Sequence, residues 1–167
     1  MLIFLLELGR IMLNLMEVLK AEKIQDIRLR LPLCLQKSTP LKTVVERMQT
    51  EHKGYAIVLN GSEIVGLFTE RDLLTRVILQ QVSFETPIEK LMTPHPKTLS
   101  MSHSIADAIK MMNEGGYRHL PLLNEKGEAE GMVSVNDLLL FLSEHFPYEI
   151  YNLPPDPDQK MQAAEGA

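Results

Sequence analysis

Tryptophan is absent from the 167 residues, aromatic side chains make up only 5%, and Cys34 is the single cysteine. One thiol excludes an internal disulfide and a cysteine-based zinc site, and it fits a reducing, cytoplasmic setting. The five histidines, at positions 52, 95, 103, 119 and 145, include no pair four apart, so no metal site is expected. A basic excess is missing too: the formal net charge is −5, which argues against nucleic acid as a partner. Glu7 and Arg10 interrupt the apolar start Met1 to Leu6, so neither a membrane span of about 20 uncharged residues nor a secretory signal is expected. The chain also has no glycine-flanked serine elbow, no phosphate-binding P-loop and no clustered carboxylate set, and Cys34 has no histidine at a motif spacing. No catalytic residue and no enzyme activity are therefore expected.

What is present is a repeat. Gly66-Leu67-Phe68-Thr69-Glu70-Arg71-Asp72 is restated as Gly131-Met132-Val133-Ser134-Val135-Asn136-Asp137, and a leucine-rich segment follows each copy. Around the first copy, Leu33-Cys34-Leu35 reads as a strand, and Ser38-Thr39-Pro40 as a cap and first-turn proline for a helix carrying Leu41, Val44 and Met48. Tyr55 to Leu59 and Ile64 to Phe68 flank Asn60-Gly61, the pair favoured in two-residue hairpins. Around the second copy the order recurs: a strand at Lys97-Thr98-Leu99, a helix capped by Ser104 and ended by Gly115-Gly116, and strands at His119 to Leu123 and up to Val133. Both units read β-α-β-β-α. A unit that repeats in this way packs its apolar face on its copy, so an α+β fold of two sheets face to face about a pseudo-twofold axis is expected.

The ends differ from the repeats. Glu7, Arg10, Asn14 and Glu17 share one narrow stripe of a helix whose remaining surface is apolar, which calls for burial in a core, a subunit interface or a membrane surface. Packing on the module or on a sister subunit is the leading expectation, and a start at Met12 or Met16 is the alternative that removes most of this helix. The assignment is residues 1–23 as N-terminal helix, 24–82 and 83–146 as repeats, and 147–167 as a Pro- and Asp-rich extended or disordered tail.

Thr69-x-x-Asp72 and Ser134-x-x-Asp137 have two readings. Ser/Thr-x-x-acid before an apolar helix is close to a capping box, although Asp reaches back less easily than Glu. The other reading gives the carboxylate to a ribose diol, with the hydroxyl and the free helix amides facing phosphate.

Two β-α-β-β-α units ending Gly-h-h-Ser/Thr-x-x-Asp, with His119-Leu120-Pro121-Leu122-Leu123-Asn124 in the second, resemble a tandem pair of cystathionine-β-synthase (CBS) domains, a Bateman module, over about Ile24 to Leu142. The resemblance implies a regulatory module that binds an adenosine nucleotide (AMP, ADP or ATP) as its ligand, with S-adenosylmethionine or a dinucleotide as the alternative. It implies Thr69, Asp72, Ser134, Asp137, Gly66 and Gly131 as motif residues at the sites. Arg118 and His119 would be phosphate donors, and Thr98 would border the ligand. Repeat one departs from the pattern, with Cys34 at the Thr98 position and Lys53-Gly54-Tyr55 where repeat two has Tyr117-Arg118-His119. Unequal sites follow, with Asp72 served by Arg118 and His119, and Asp137 by Thr98. Leu67, Phe68, Met132 and Val133, with Ile57 and Pro121 opposite, are candidate adenine walls, and Pro121 is expected at an edge or an irregular position. Output is expected through homodimerisation or a separate effector protein, and a ligand-free dimerising scaffold remains the competing reading.

Overall fold

A computed structural model of the chain describes residues 2–29 and 31–147, with side-chain surroundings from Met12 onward. Met1, the tail beyond 147 and the side chains up to Ile11, with most of the apolar start and its Glu7 and Arg10, lie outside the described residues. Helix α1 (Leu2–Ala21) leads into a single 3₁₀ turn at Ile24–Asp26. The first unit contains β1 (Cys34–Gln36), α2 (Leu41–Thr50), β2 (Tyr55–Asn60), β3 (Glu63–Thr69) and α3 (Glu70–Asp72), which continues as a π-helical turn over Leu73–Ile78. A second 3₁₀ turn (Ile88–Lys90) and β4 (Thr93–Pro94) lead to β5 (Leu99–Ser100), α4 (Ile105–Gly115), β6 (His119–Leu123), β7 (Ala129–Ser134) and α5 (Val135–His145). The sheets run β1-β2-β3-β4 and β5-β6-β7, each with one parallel pair followed by an antiparallel hairpin. This is the expected mixed α+β pair of sheets.

Alternation along the strands assigns each face. Phe68 and Val133 turn into the cores of their own repeats, while Leu67 and Met132, one residue earlier, point the other way and meet Tyr55 and Ile57 between the two sheets. The contact between sheets therefore uses equivalent positions from both copies, as a pseudo-twofold axis requires.

The segments ahead of each repeat are exchanged. Ile24, fully buried, belongs to the second repeat's core beside Leu99, Ile105 and Leu120, whereas its equivalent Ile88 belongs to the first beside Leu41 and Val44. The hydrogen bonds match one for one: Ile24 N donates to His103 O at 3.0 Å and Ile105 N to Glu22 O at 3.1 Å, while Ile88 N donates to Thr39 O and Leu41 N to Thr86 O, both at 2.9 Å. Helix α1 follows its connector onto the second repeat, where Leu19 is buried and Leu15 and Val18 half-buried against that core. The rest of its described surface is not covered within one chain, since Met12, Leu13 and Met16 are exposed. Among the described residues no helix is long and apolar enough to cross a membrane.

Several local expectations are corrected. Pro40 occupies the N-cap of α2 with no side-chain cap from Ser38 or Thr39, while Ser104 does cap α4. The hairpin turn is Gly61-Ser62, with Asn60 ending the strand and Gly61 alone left-handed at φ +66°. Pro121 lies in the central strand of its sheet, buried, so of the two expected placements it takes the irregular one and not the edge. The parallel ladder tolerates it because β5 is only two residues long and its pairing with β6 begins at Leu122. In the first repeat Ile57 N donates to Leu33 O at 2.8 Å; the equivalent Pro121 has no N–H to give Lys97. The ladder that reaches Cys34 in one copy accordingly starts one residue late in the other, and Thr98 falls outside the strand.

Candidate functional site

Three Ser/Thr-x-x-Asp segments open helices, and all three close the same capping box. Asp72 Oδ2 accepts from Thr69 N at 2.9 Å and from Thr69 Oγ1 at 2.7 Å, while Thr69 Oγ1 accepts from Asp72 N at 3.3 Å. Ser134 and Asp137 repeat this at 2.8, 2.6 and 3.3 Å, and Ser104 and Asp107 at 3.0, 2.7 and 3.1 Å. The shorter aspartate reaches back without difficulty, contrary to expectation, because one oxygen serves both the amide and the hydroxyl. These bonds from Ser104, its hydroxyl first, hold the Asp107 carboxyl below its usual range. Since Asp107 lines neither cleft described below, the box alone is not a ligand signature. What sets Thr69/Asp72 and Ser134/Asp137 apart is their place at the strand ends between the repeats.

Two clefts lie there. The one around Ser134 and Asp137 has a volume of about 790 Å³ and is lined also by His52, Lys53, Tyr55, Glu70, Arg118 and His119. The one around Thr69 and Asp72 measures about 570 Å³ and takes Arg76, Thr93 to Lys97, Tyr117, Arg118 and His119. Each is therefore built from both repeats. The strand register explains the placement: Val135 N donates to Arg118 O and Glu70 N to Gly54 O, both at 3.1 Å, so the residue before β6 or β2 is fixed beside the first turn of the motif helix.

Arg118 and His119 border both clefts and do not serve Asp72 alone as expected. Thr98 lines neither, because the β5 ladder starts after it. Gly66 and Gly131 are buried in their strands; a side chain on Gly66 would run into Met92, and one on Gly131 into Leu122, so both glycines answer to strand packing. Of the expected adenine walls, Leu67 and Met132 each line a cleft, whereas Phe68, Val133, Ile57 and Pro121 are buried without lining either. The sequence reading missed His52, which occupies a left-handed turn at φ +51° where the second repeat has Gly116 at +64°. It also missed Glu70, Lys97 and Arg76.

The two carboxylates are unequally engaged. Asp72 is buried, and its Oδ1 is 3.2 Å from Arg76 Nε. Asp137 is half-buried, and among the described residues its Oδ1 has no partner, since Phe141 stands at the position equivalent to Arg76. Asp137 is thus the more available, with Arg118 and Lys53 across its cleft and Arg118 in no ion pair among the described residues. The expected inequality lay in the phosphate donors; the inequality seen here lies in the carboxylates themselves.

His119 packs on Tyr55 with ring centroids 5.2 Å apart. Burial pushes its imidazole below the usual value, Asp137 and then Glu70 pull it back up, and Arg118 opposes them. A base whose folded pKa is depressed leaves stability intact above its unfolded value, near pH 6.5, and costs stability as pH falls towards the folded value, because the unfolded chain takes the proton first. Unfolding measured from pH 7.5 to 5.5 is expected to lose stability below about pH 6.5, with a shallower decline in His119→Gln. An unchanged decline places the titration elsewhere.

Burial raises the Cys34 thiol, the opposite of an activated thiolate. No group of three or more metal-ligating side chains converges among the described residues.

Comparison with known proteins agrees with this geometry. A CBS domain-containing protein of Arabidopsis thaliana, CBSCBSPB3, is 36% identical over 99 residues, 59% of this chain and 18% of that protein, so the chain spans about a fifth of that relative. A CBS domain protein of Pyrobaculum aerophilum, solved in complex with AMP, superposes with a TM-score of 0.65 at 23% identity, covering 73% of this chain and 98% of that one. The CBS domain pair of protein MJ0100, solved with 5′-methylthioadenosine and S-adenosyl-L-methionine, gives 0.67 at 14%, covering 74% and 97%. The CBS domain family model matches residues 24–79 and again 88–144. With two matched copies, two exchanged connectors and two clefts between the sheets, the chain belongs to the CBS domain family, as a tandem pair.

Proposed function

We propose that this chain is a non-catalytic regulatory module that senses an adenosine nucleotide, AMP, ADP or ATP, in the cleft around Asp137. The observation that carries the reading is that Asp137, whose Oδ1 has no hydrogen bond or ion pair among the described residues, lines a cleft of about 790 Å³ together with Arg118. A carboxylate with one oxygen fixed by its helix and the other open suits a ribose diol, and a guanidinium opposite suits phosphate. Ser134 keeps its capping role; of the first-turn amides, Val135 N is held by Arg118 O and Asp137 N by Ser134 Oγ, which leaves Asn136 N for an anion. Met132 supplies an apolar wall. The complexes of the Pyrobaculum protein with AMP and of MJ0100 with S-adenosyl-L-methionine support the adenosyl class. Arg118 favours a phosphorylated ligand over a cationic sulfonium.

The readout is a change in how the two repeats sit against each other, passed to a second copy or to a separate effector in the cytoplasm. Exposed apolar residues at equivalent positions of the two motif helices, Leu74 and Leu139, with Ile78, Leu79 and Leu140 near them, support a homodimer contact. The same residues are the ground for the competing reading, a ligand-free scaffold.

The test is the melting temperature of the full chain against AMP, ADP, ATP, S-adenosylmethionine and a reduced dinucleotide, with product analysis of each mixture. An adenosine nucleotide at about 100 times its dissociation constant adds about 2.7 kcal/mol, and this gain should vanish in Asp137→Ala. Ser104→Ala, which removes the capping hydroxyl remote from both clefts at a cost of about 1 kcal/mol, should keep it. A gain with S-adenosylmethionine alone supports the alternative ligand, turnover makes the chain an enzyme, and no gain with any ligand leaves the scaffold.

A further inference from the structure

Arg76 places all three of its guanidinium nitrogens. Nε meets Asp72 Oδ1 at 3.2 Å, Nη1 donates to Leu91 O at 3.0 Å and Met92 O at 2.8 Å, and Nη2 donates to Thr93 Oγ1 at 3.0 Å. From these contacts we infer that Arg76 is an internal occupant of the first cleft: it holds the Asp72 carboxylate where a ribose diol would bind, so the module takes one nucleotide, at Asp137. The inference rests on the proposed nucleotide-binding function and specifies which cleft carries it.

Acceptor capacity separates the two carboxylates. An ionised carboxylate offers about four lone-pair sites. In both motifs Oδ2 takes the amide and the hydroxyl of the capping residue, which uses two. Asp137 keeps the two on Oδ1, one for each hydroxyl of a diol. Asp72 has given one of its remaining sites to Arg76 Nε, and its side chain is only 13% exposed. A diol would have to displace a charge-assisted bond from a guanidinium that two carbonyls and a hydroxyl hold in place.

The local sequence makes this arrangement possible in one repeat alone. After Asp72 the helix widens into a π turn over Leu73–Ile78, which carries Arg76 over the end of the inter-repeat connector. After Asp137 the helix stays regular to His145, and the equivalent side chain, Phe141, goes into the core. The cleft that Arg76 occupies is also lined by His95 and Lys97; Arg76 takes only the ribose position.

The test counts AMP bound per full-length chain by calorimetric titration, for the wild type, Asp72→Asn, Asp137→Asn, Arg76→Leu and Arg76→Gln, each first shown to melt cooperatively. One AMP per wild-type chain is expected. Asp137→Asn should weaken it about ten- to hundredfold, the scale of hydrogen bonds to a charged group, while Asp72→Asn should leave it within about twofold. Arg76→Leu should admit a second AMP, and Arg76→Gln, which keeps polar reach to the connector carbonyls, carries the test if the leucine variant does not fold. Two AMP per wild-type chain, equal losses in the two aspartate variants, or one AMP per chain in a folded Arg76 variant overturns the inference and leaves the nucleotide function standing. No binding of AMP or any other adenosyl ligand by any variant overturns that function, and the inference with it.

Discussion

Replacing Ile24 by alanine is expected to lower the free energy of unfolding by about 2–5 kcal/mol and to loosen the second repeat before the first. Ile24 is fully buried among Leu99, Ile105, Leu120 and their neighbours, and truncation leaves a cavity that close-packed surroundings fill only in part. Its amide holds the carbonyl of His103, just ahead of α4, so the loss falls at the start of that helix. Native-state hydrogen exchange should show faster exchange in α4 and β6 than in α2 and β2. Ile88→Ala should give the mirror image, since Ile88 fills the first core between Leu41 and Leu91. Loosening of α2 by Ile24→Ala would contradict the exchanged connectors.

Gly66→Ala is expected to cost about 1–3 kcal/mol, the range for overpacking a filled site, although alanine is the smallest possible addition. The new methyl would overlap the Met92 side chain, and backbone pairing of Gly66 with Val58 on one side and Pro94 on the other prevents the strand from withdrawing. Shortening the obstruction should restore part of the loss, so Gly66→Ala with Met92→Ala should show favourable coupling of at least about 0.5 kcal/mol. Gly131→Ala should cost less, because the nearest atoms, Leu122 Cδ1 at 3.2 Å and Leu29 Cδ1 at 3.6 Å, end flexible side chains. Denaturant unfolding of the four variants measures this, and ligand binding at full stability but lost affinity in Gly66→Ala would return that glycine to the site.

The order β-α-β-β-α was readable because glycines, prolines and period-two runs mark the elements at almost every boundary. Gly116 at its left-handed helix end and Ser104 at its cap fell where those residue types belong. The exchange of connectors was not readable: Ile24 and Ile88 sit in like contexts, and apolar pattern states that a residue is buried without stating in which copy. Arg76 was passed over because in a regular helix it continues a solvated face, and only the π turn brings it onto Asp72 and the connector. Asp72 and Asp137 were found by type and spacing, but their availability depends on a residue four places later in each copy, Arg76 in one and Phe141 in the other, whose effect is tertiary. Pro121 proved irregular without being at an edge for a related reason: proline excludes a ladder bond, and a central strand whose neighbour has not yet begun asks for none.

Tyr55 and His119 occupy equivalent positions in the two repeats and touch each other. A residue on a pseudo-twofold axis meets its own counterpart, so this is where a duplicated chain cannot keep both halves identical without placing like against like. Two histidines here would set two imidazoles ring to ring, each resisting the other's proton, and two tyrosines would leave no imidazole shared by both clefts. The tyrosine–histidine pair resolves that self-encounter, and it gives the module a polarity: one half brings a titrating ring to the axis and the other an uncharged partner for it.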